Sequence, residues 1–213
     1  MHTHTAARLR QGALAALLLA SLAAARAPAQ TSPEQVPPPP SGSRLFLDCA
    51  ACHGSDGSGV ADGSVPAIGG QPAAFVRGAL EDFRTRRRGD IRMRHFSDPQ
   101  HLADAAELDA VAAHVASLRR GMPATTGDGL QLERGRALFT RHCAGCHGAG
   151  GSAAAQPPRP ALAGQHAPYL ERKMLDTQDM KTSQVRRHAA LAGTLGGTGV
   201  AAVADWLSRQ PPP

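Results

Sequence analysis

Aromatic side chains are scarce: phenylalanine, tyrosine and tryptophan make up 3% of the 213 residues. A chain of this length has room for one or two small domains, and so few large rings cannot fill an ordinary core of that size. No stretch alternates apolar and polar residues as a half-buried strand does. Long apolar runs are confined to the N-terminus, where Ala13 to Ala20 begins a stretch that Arg26 interrupts. That stretch is too short for a good membrane span, and no second run could cross a bilayer. Excess charge is slight. The whole chain carries +6, and without Arg8, Arg10 and Arg26 it has 20 basic against 17 acidic residues, or +3. With no basic stripe interleaved with aromatics, this excludes nucleic acid as the expected partner. Neither a Ser/His/Asp set nor paired carboxylates can be discerned, so no small-molecule substrate is expected.

Cysteine is also rare, and all 4 fall in one motif used twice. Cys49-Ala50-Ala51-Cys52-His53 and Cys143-Ala144-Gly145-Cys146-His147 both read C-x-x-C-H, each followed by glycine. This is the pattern of covalent haem c attachment. Two thiols three positions apart on one turn can each bond a vinyl group of the same porphyrin. The adjacent histidine then lies below the ring and ligates the iron. A thioredoxin-like redox pair would need a βαβ context, and zinc would give no reason for a histidine directly after both pairs. Two covalent haem c groups are therefore expected, and they supply the large apolar bodies that the composition withholds.

The N-terminus reads as a secretory signal over residues 1–29: basic Arg8 and Arg10, an apolar stretch, and Ala27-Pro28-Ala29 as a cleavage site before Gln30. Export suits the haems, which are attached outside the bacterial cytoplasm, and periplasmic localisation follows. Residues 30–43 form a Pro-rich linker containing Pro37 to Pro40. The first unit, 44–120, is expected to start with a short helix through Leu45 and Phe46 into Cys49. A glycine-rich loop from Ser55 to Gly63 follows, then a helix through Phe75 and Phe83, a basic loop from Arg84 to Arg94, and a helix capped by Asp104 with Glu107 as a capping box. After a linker at 121–132, the second unit, 133–210, repeats the first. Pro160-Ala161-Leu162-Ala163-Gly164-Gln165 repeats Pro66-Ala67-Ile68-Gly69-Gly70-Gln71 at the spacing of 94 that also separates His147 from His53. Tyr169 repeats Phe75. The last helix carries Val200, Val203, Ala204 and Leu207 on one stripe, with Thr198 as its expected cap. Each unit is small enough to need a staple, which covalent haem provides.

On these motifs the chain resembles the tandem dihaem class I cytochromes c, the cytochrome c4 family, over residues 44–210. The resemblance implies an all-α fold of two tandem class I cytochrome c domains, each with one covalently attached haem. It implies a haem-bearing helix crossing the last helix of each domain, and haems that approach near their propionate edges. It makes His53 and His147 the proximal iron ligands, each held by the backbone carbonyl of Pro66 or Pro160. It makes Met93, in the loop before the last helix, the sixth ligand of the first haem, with His95 as a competitor. In the second unit the corresponding window falls around Arg187 to Ala190 and holds no methionine. His188 is the first candidate there, Met180 the second, and an open iron the third possibility. Met174 reads as core.

The expected function is that of a periplasmic carrier, not an enzyme. It would pass single electrons between redox protein partners, from a quinol-oxidising membrane respiratory complex to a terminal oxidase or reductase. One alternative is the cytochrome subunit of a dehydrogenase, such as a flavocytochrome c sulfide dehydrogenase. Another is a peroxidase acting at an open second haem. The arginines at 84, 86, 87, 88, 92 and 94 are mostly solvated in this reading, with one or two left for propionates or an acidic partner.

Overall fold

Both halves open on a helix that must lie against the last helix of the same domain, and glycine makes the approach possible. A Cβ on Gly42 would sit 2.1 Å from the Ala110 carbonyl oxygen, and one on Gly135 would sit 2.0 Å from that of Ala202. No side chain fits there, so the two backbones cross in contact. In the computed structural model, residues 40–122, 125–153, 158–176 and 183–213 are described, the last range without the side chains of 183–186. The expected signal peptide, most of the Pro-rich linker and Met180 lie outside the described residues.

The first domain runs α1 (Gly42–Leu45), α2 (Leu47–His53), α3 (Ala73–Arg84), α4 (Ile91–Ser97) and α5 (Ala105–Ser117). The second runs α6 (Leu132–His142), α7 (Ala144–His147), a 3-10 turn (Ala149–Gly151), α8 (Ala167–Leu175) and α9 (Ser183–Ser208). No strand occurs among the described residues, and no described helix is long and apolar enough to cross a membrane. Pro39–Pro213 forms one compact unit.

Two matching cores hold the domains. Phe46 and Phe139 are 3% and 1% exposed, each contributing roughly 1.5–3 kcal/mol by burial. Phe46 packs on the His114 ring and Phe139 on the Trp206 ring, both at 5.1 Å between centres. Leu80, Leu102, Leu108, Val111 and Val115 complete the first core. Ala167, Leu170, Leu195, Val200, Val203, Ala204 and Leu207 complete the second. Met174 packs against that core, as its helical register predicts.

Three local expectations are revised. Asp104 does cap α5 through the Glu107 amide (2.9 Å), but the Glu107 carboxylate reaches back to the Ala103 amide (2.6 Å) instead of that of Asp104. The stretch holding Met93 is helical: Asp90 accepts from the Arg92 and Met93 amides at 3.0 and 3.1 Å and starts α4 inside the expected basic loop. Thr198 is no cap: the helix that carries Val200 to Leu207 starts directly after the non-helical Gly196 (φ 62°, ψ 171°), which leaves Thr198 inside it.

Candidate haem-binding sites

The first C-x-x-C-H motif lies wholly on α2, whereas in the second Cys143 is the junction between α6 and α7; in both, the histidine is the last helical residue before a glycine of positive φ, Gly54 or Gly148. Among the described residues no three His, Cys, Asp or Glu side chains converge as a metal cluster. No disulfide joins any of the four cysteines. Four unpaired cysteines, each pair next to a buried imidazole, form the donor set that two covalently bound haems need.

His53 is buried, and its Nδ1–H donates to the Pro66 carbonyl oxygen at 2.9 Å. That bond fixes the tautomer and leaves the Nε2 lone pair for a metal. Burial lowers the pKa of the ring, opposed by the Pro66 hydrogen bond and by Asp90, while Arg92 lowers it further. Asp90 caps α4 and Arg92 lies in its first turn, so charges at the start of the helix carrying Met93 act on His53, and Met93 itself packs against the first core. His95, in contrast, meets the His101 ring edge-on, with ring centres 4.4 Å apart.

The second site differs. Burial pushes His147 down to about 4, opposed by the Pro160 carbonyl and assisted by His188 and Arg159. Pro160 faces the ring, yet His147 Nδ1 is buried without a hydrogen-bond partner. The His188 ring stands 6.1 Å from the His147 ring, centre to centre, at an angle of 36°. Burial, then Arg159 and Arg187, lower the His188 pKa as well. In both imidazoles burial acts in the same direction, against the charged form.

The repeated glutamines join the two sites. Gln71 of the first domain donates to the Ala161 carbonyl (2.8 Å) and accepts from the Ala161 amide (2.9 Å). Gln165 of the second domain does the same to Ala67, at 2.8 and 3.0 Å. Each domain thus grips the residue directly after the other's proximal proline. Arg120 lies between them and donates to the carbonyls of Gly69 (2.9 Å), Gly164 (2.5 Å) and Ala163 (3.2 Å). His166 donates from Nε2 to the Ser58 carbonyl at 2.8 Å, and Arg172 donates to that of Gly63. The repeat exposed both glutamines, but nothing local signalled that each one's partner is in the other half.

The arginine group divides. Arg84 bonds the Ser97 carbonyl at 2.7 Å and that of Leu102, closing the turn behind α4. Arg88 lies 5.5 Å from both the Phe75 and Phe83 ring centres. Arg86 and Arg87 are exposed, and Arg87 pairs with Asp82 at 2.7 Å.

Comparison with known proteins resolves the family. Residues 41–119 and 132–208 each match the cytochrome c family. The chain belongs to the cytochrome c family. Among relatives, it is 28% identical over 174 residues to cytochrome c4 of Pseudomonas aeruginosa, covering 75% of this chain and 82% of that one. It is 35% identical over 133 residues to the thiosulfate dehydrogenase electron acceptor of Stutzerimonas stutzeri. That match covers 58% of this chain and 60% of the relative, less than two thirds of its length. The crystal structure of reduced recombinant cytochrome c4 from Pseudomonas stutzeri superimposes with a TM-score of 0.69. At 23% identity, covering 79% of this chain and 96% of that one, it shows a shared fold. This is a dihaem cytochrome of the cytochrome c4 family, with one covalent haem c in each of its two domains.

Proposed function

We propose that this cytochrome is an exported, periplasmic carrier, cleaved before Gln30, that receives single electrons from a quinol-oxidising membrane complex and delivers them to a terminal oxidase or reductase. The observation that carries the reading is the reciprocal pairing of Gln71 with Ala161 and of Gln165 with Ala67, which fastens two haem domains back to back. The haem supplies a one-electron iron couple. Cys49 and Cys52 would hold the first group and Cys143 and Cys146 the second. His53 and His147 would ligate the two irons, with Met93 as the further ligand in the first domain. The Pro66 carbonyl orients His53; Pro160 stands in the same place toward His147.

A second reading is favoured by the relative named as a thiosulfate dehydrogenase electron acceptor: the donor is then a dehydrogenase with which this chain pairs. The deciding experiment mixes the oxidised full-length holoprotein with either donor and follows haem reduction by stopped flow. Fast reduction by quinol-oxidising membranes, two electrons per chain, supports the carrier reading. Fast reduction only by a dehydrogenase turning over its own substrate supports the second. Sustained turnover of hydrogen peroxide would overturn both in favour of an enzyme.

A further inference from the structure

The second haem site contains two imidazoles and, among the described residues, no methionine in the corresponding place. We infer that His188 is the sixth iron ligand of the second domain, so that this haem is held between His147 and His188 while the first is held between His53 and Met93. The inference deepens the carrier reading and depends on it only for the presence of the second haem.

The spacing carries the argument. A metal–imidazole nitrogen bond is about 2.0–2.1 Å and the ring centre lies about 1.1 Å behind that nitrogen, so two imidazoles on opposite sides of one metal have centres about 6 Å apart. The observed separation is 6.1 Å. A direct N–H···N bond between the rings would bring the centres to about 5 Å. The observed separation matches two rings with one metal atom between them and exceeds that of two rings in direct hydrogen bond.

The helix explains why His188 points there. His188, Ala192 and Leu195 are spaced i, i+4 and i+7, on one face of the segment of α9 before its break at Gly196. Ala192 and Leu195 pack into the second core, which turns the same face, and His188 with it, toward His147. In the first domain the matching element is the short helix α4, which directs Met93 into the first core. The two halves thus present different atoms to chemically equivalent groups: a soft thioether in one and an imidazole in the other.

Thioether ligation raises the potential of a haem relative to bis-imidazole ligation. The second haem is accordingly the lower-potential one, and a single electron on the molecule rests on the first. Transfer through the protein is downhill from the His188 domain to the Met93 domain, so the donor is a protein that docks on the second domain.

The test uses the full-length holoprotein and spectra, not turnover. Ferric protein should show a Met-sulphur charge-transfer band of one-haem intensity, together with the low-spin electron paramagnetic resonance signal of a bis-imidazole haem. His188→Ala should turn the second haem high-spin, and added imidazole should restore the low-spin signal. His188→Met, which keeps a ligand in place should the alanine variant fold poorly, should double the charge-transfer band and raise the lower redox wave toward the upper. A low-spin spectrum and lower wave unchanged in His188→Ala would overturn the assignment and leave Met180 as the ligand. The modes of failure are separable by mass: a chain with one haem fails the two-haem reading itself, whereas two haems with two Met-sulphur bands fail the His188 assignment alone.

Discussion

The two domains agree where they build a pocket and diverge where they complete it. Phe46 and Phe139, the glycine crossings at Gly42 and Gly135, and the clamps from Gln71 and Gln165 match closely. The proximal sides differ only in detail: His53 donates to Pro66 at 2.9 Å, while the Pro160 carbonyl faces His147 without a well-aligned hydrogen bond. The distal sides differ more. A seven-residue helix started by Asp90 carries Met93, and the segment of α9 before its kink at Gly196 carries His188. Packing and interface demand a fixed shape, because a Cβ or a lost amide is felt at once. The ligand side demands only that one donor atom reach the iron, and several local structures satisfy that.

The largest effect on this comparison should come from removing one staple. Cys143→Ala with Cys146→Ala should leave one covalent haem by mass spectrometry and unfold the second domain early, while the first keeps its own melting transition. A domain of fewer than about 80 residues rarely holds itself together without such a crosslink, so an unchanged melting curve would show the second core to be self-sufficient. Next is Met93→Ala. The Met-sulphur band should vanish completely and the higher redox wave should fall toward the lower. A band that survives at half intensity would reveal a second methionine ligand.

A smaller, crossed effect should come from the clamps. Gln165→Leu strips the partners from Ala67, the residue after Pro66, at a cost of about 1–3 kcal/mol for each buried group left unpaired. The redox wave that moves should be that of the first haem, although Gln165 belongs to the second domain. Gln71→Leu should move the other wave. A shift confined to the mutated domain's own haem would break the link between clamp and proximal proline. The smallest effect is kinetic. Arg86→Glu with Arg87→Glu should lower the rate of electron exchange with an acidic partner at the first haem by a few-fold at low salt. The potentials should stay unchanged and the effect should fade at high salt. Arg88 is excluded from that test because it packs on Phe75 and Phe83.

What could be read from the chain follows from how local each cause is. The haem motifs are legible because thiol, thiol and imidazole must share one turn. The Asp104 cap is legible because an N-cap acts within three residues. The helix holding Met93 is hard to read because the seven residues of α4 are too few to show an apolar period, although Asp90 is their cap. Thr198 resembles a cap, yet its helix begins after the kink at Gly196, two residues earlier. The glutamine clamps were beyond reach for another reason. Their partners lie 90 and 98 residues away, and only the docked domains bring donor and acceptor together.

The docked arrangement also bears on how fast charge can cross the molecule. Tunnelling between two centres falls off steeply with separation, so a pair of domains on a free hinge would spend most of its time too far apart and would transfer only during rare close encounters. Here Arg120 spans the joint, with donors to Gly69 on one side and to Ala163 and Gly164 on the other. Its charge is drawn into a seam where the guanidinium must keep those carbonyls or be left unsolvated. The gap between the two haems is consequently a constant of the fold. Passage between them then needs no domain motion, and at that fixed separation it depends on driving force and reorganisation energy.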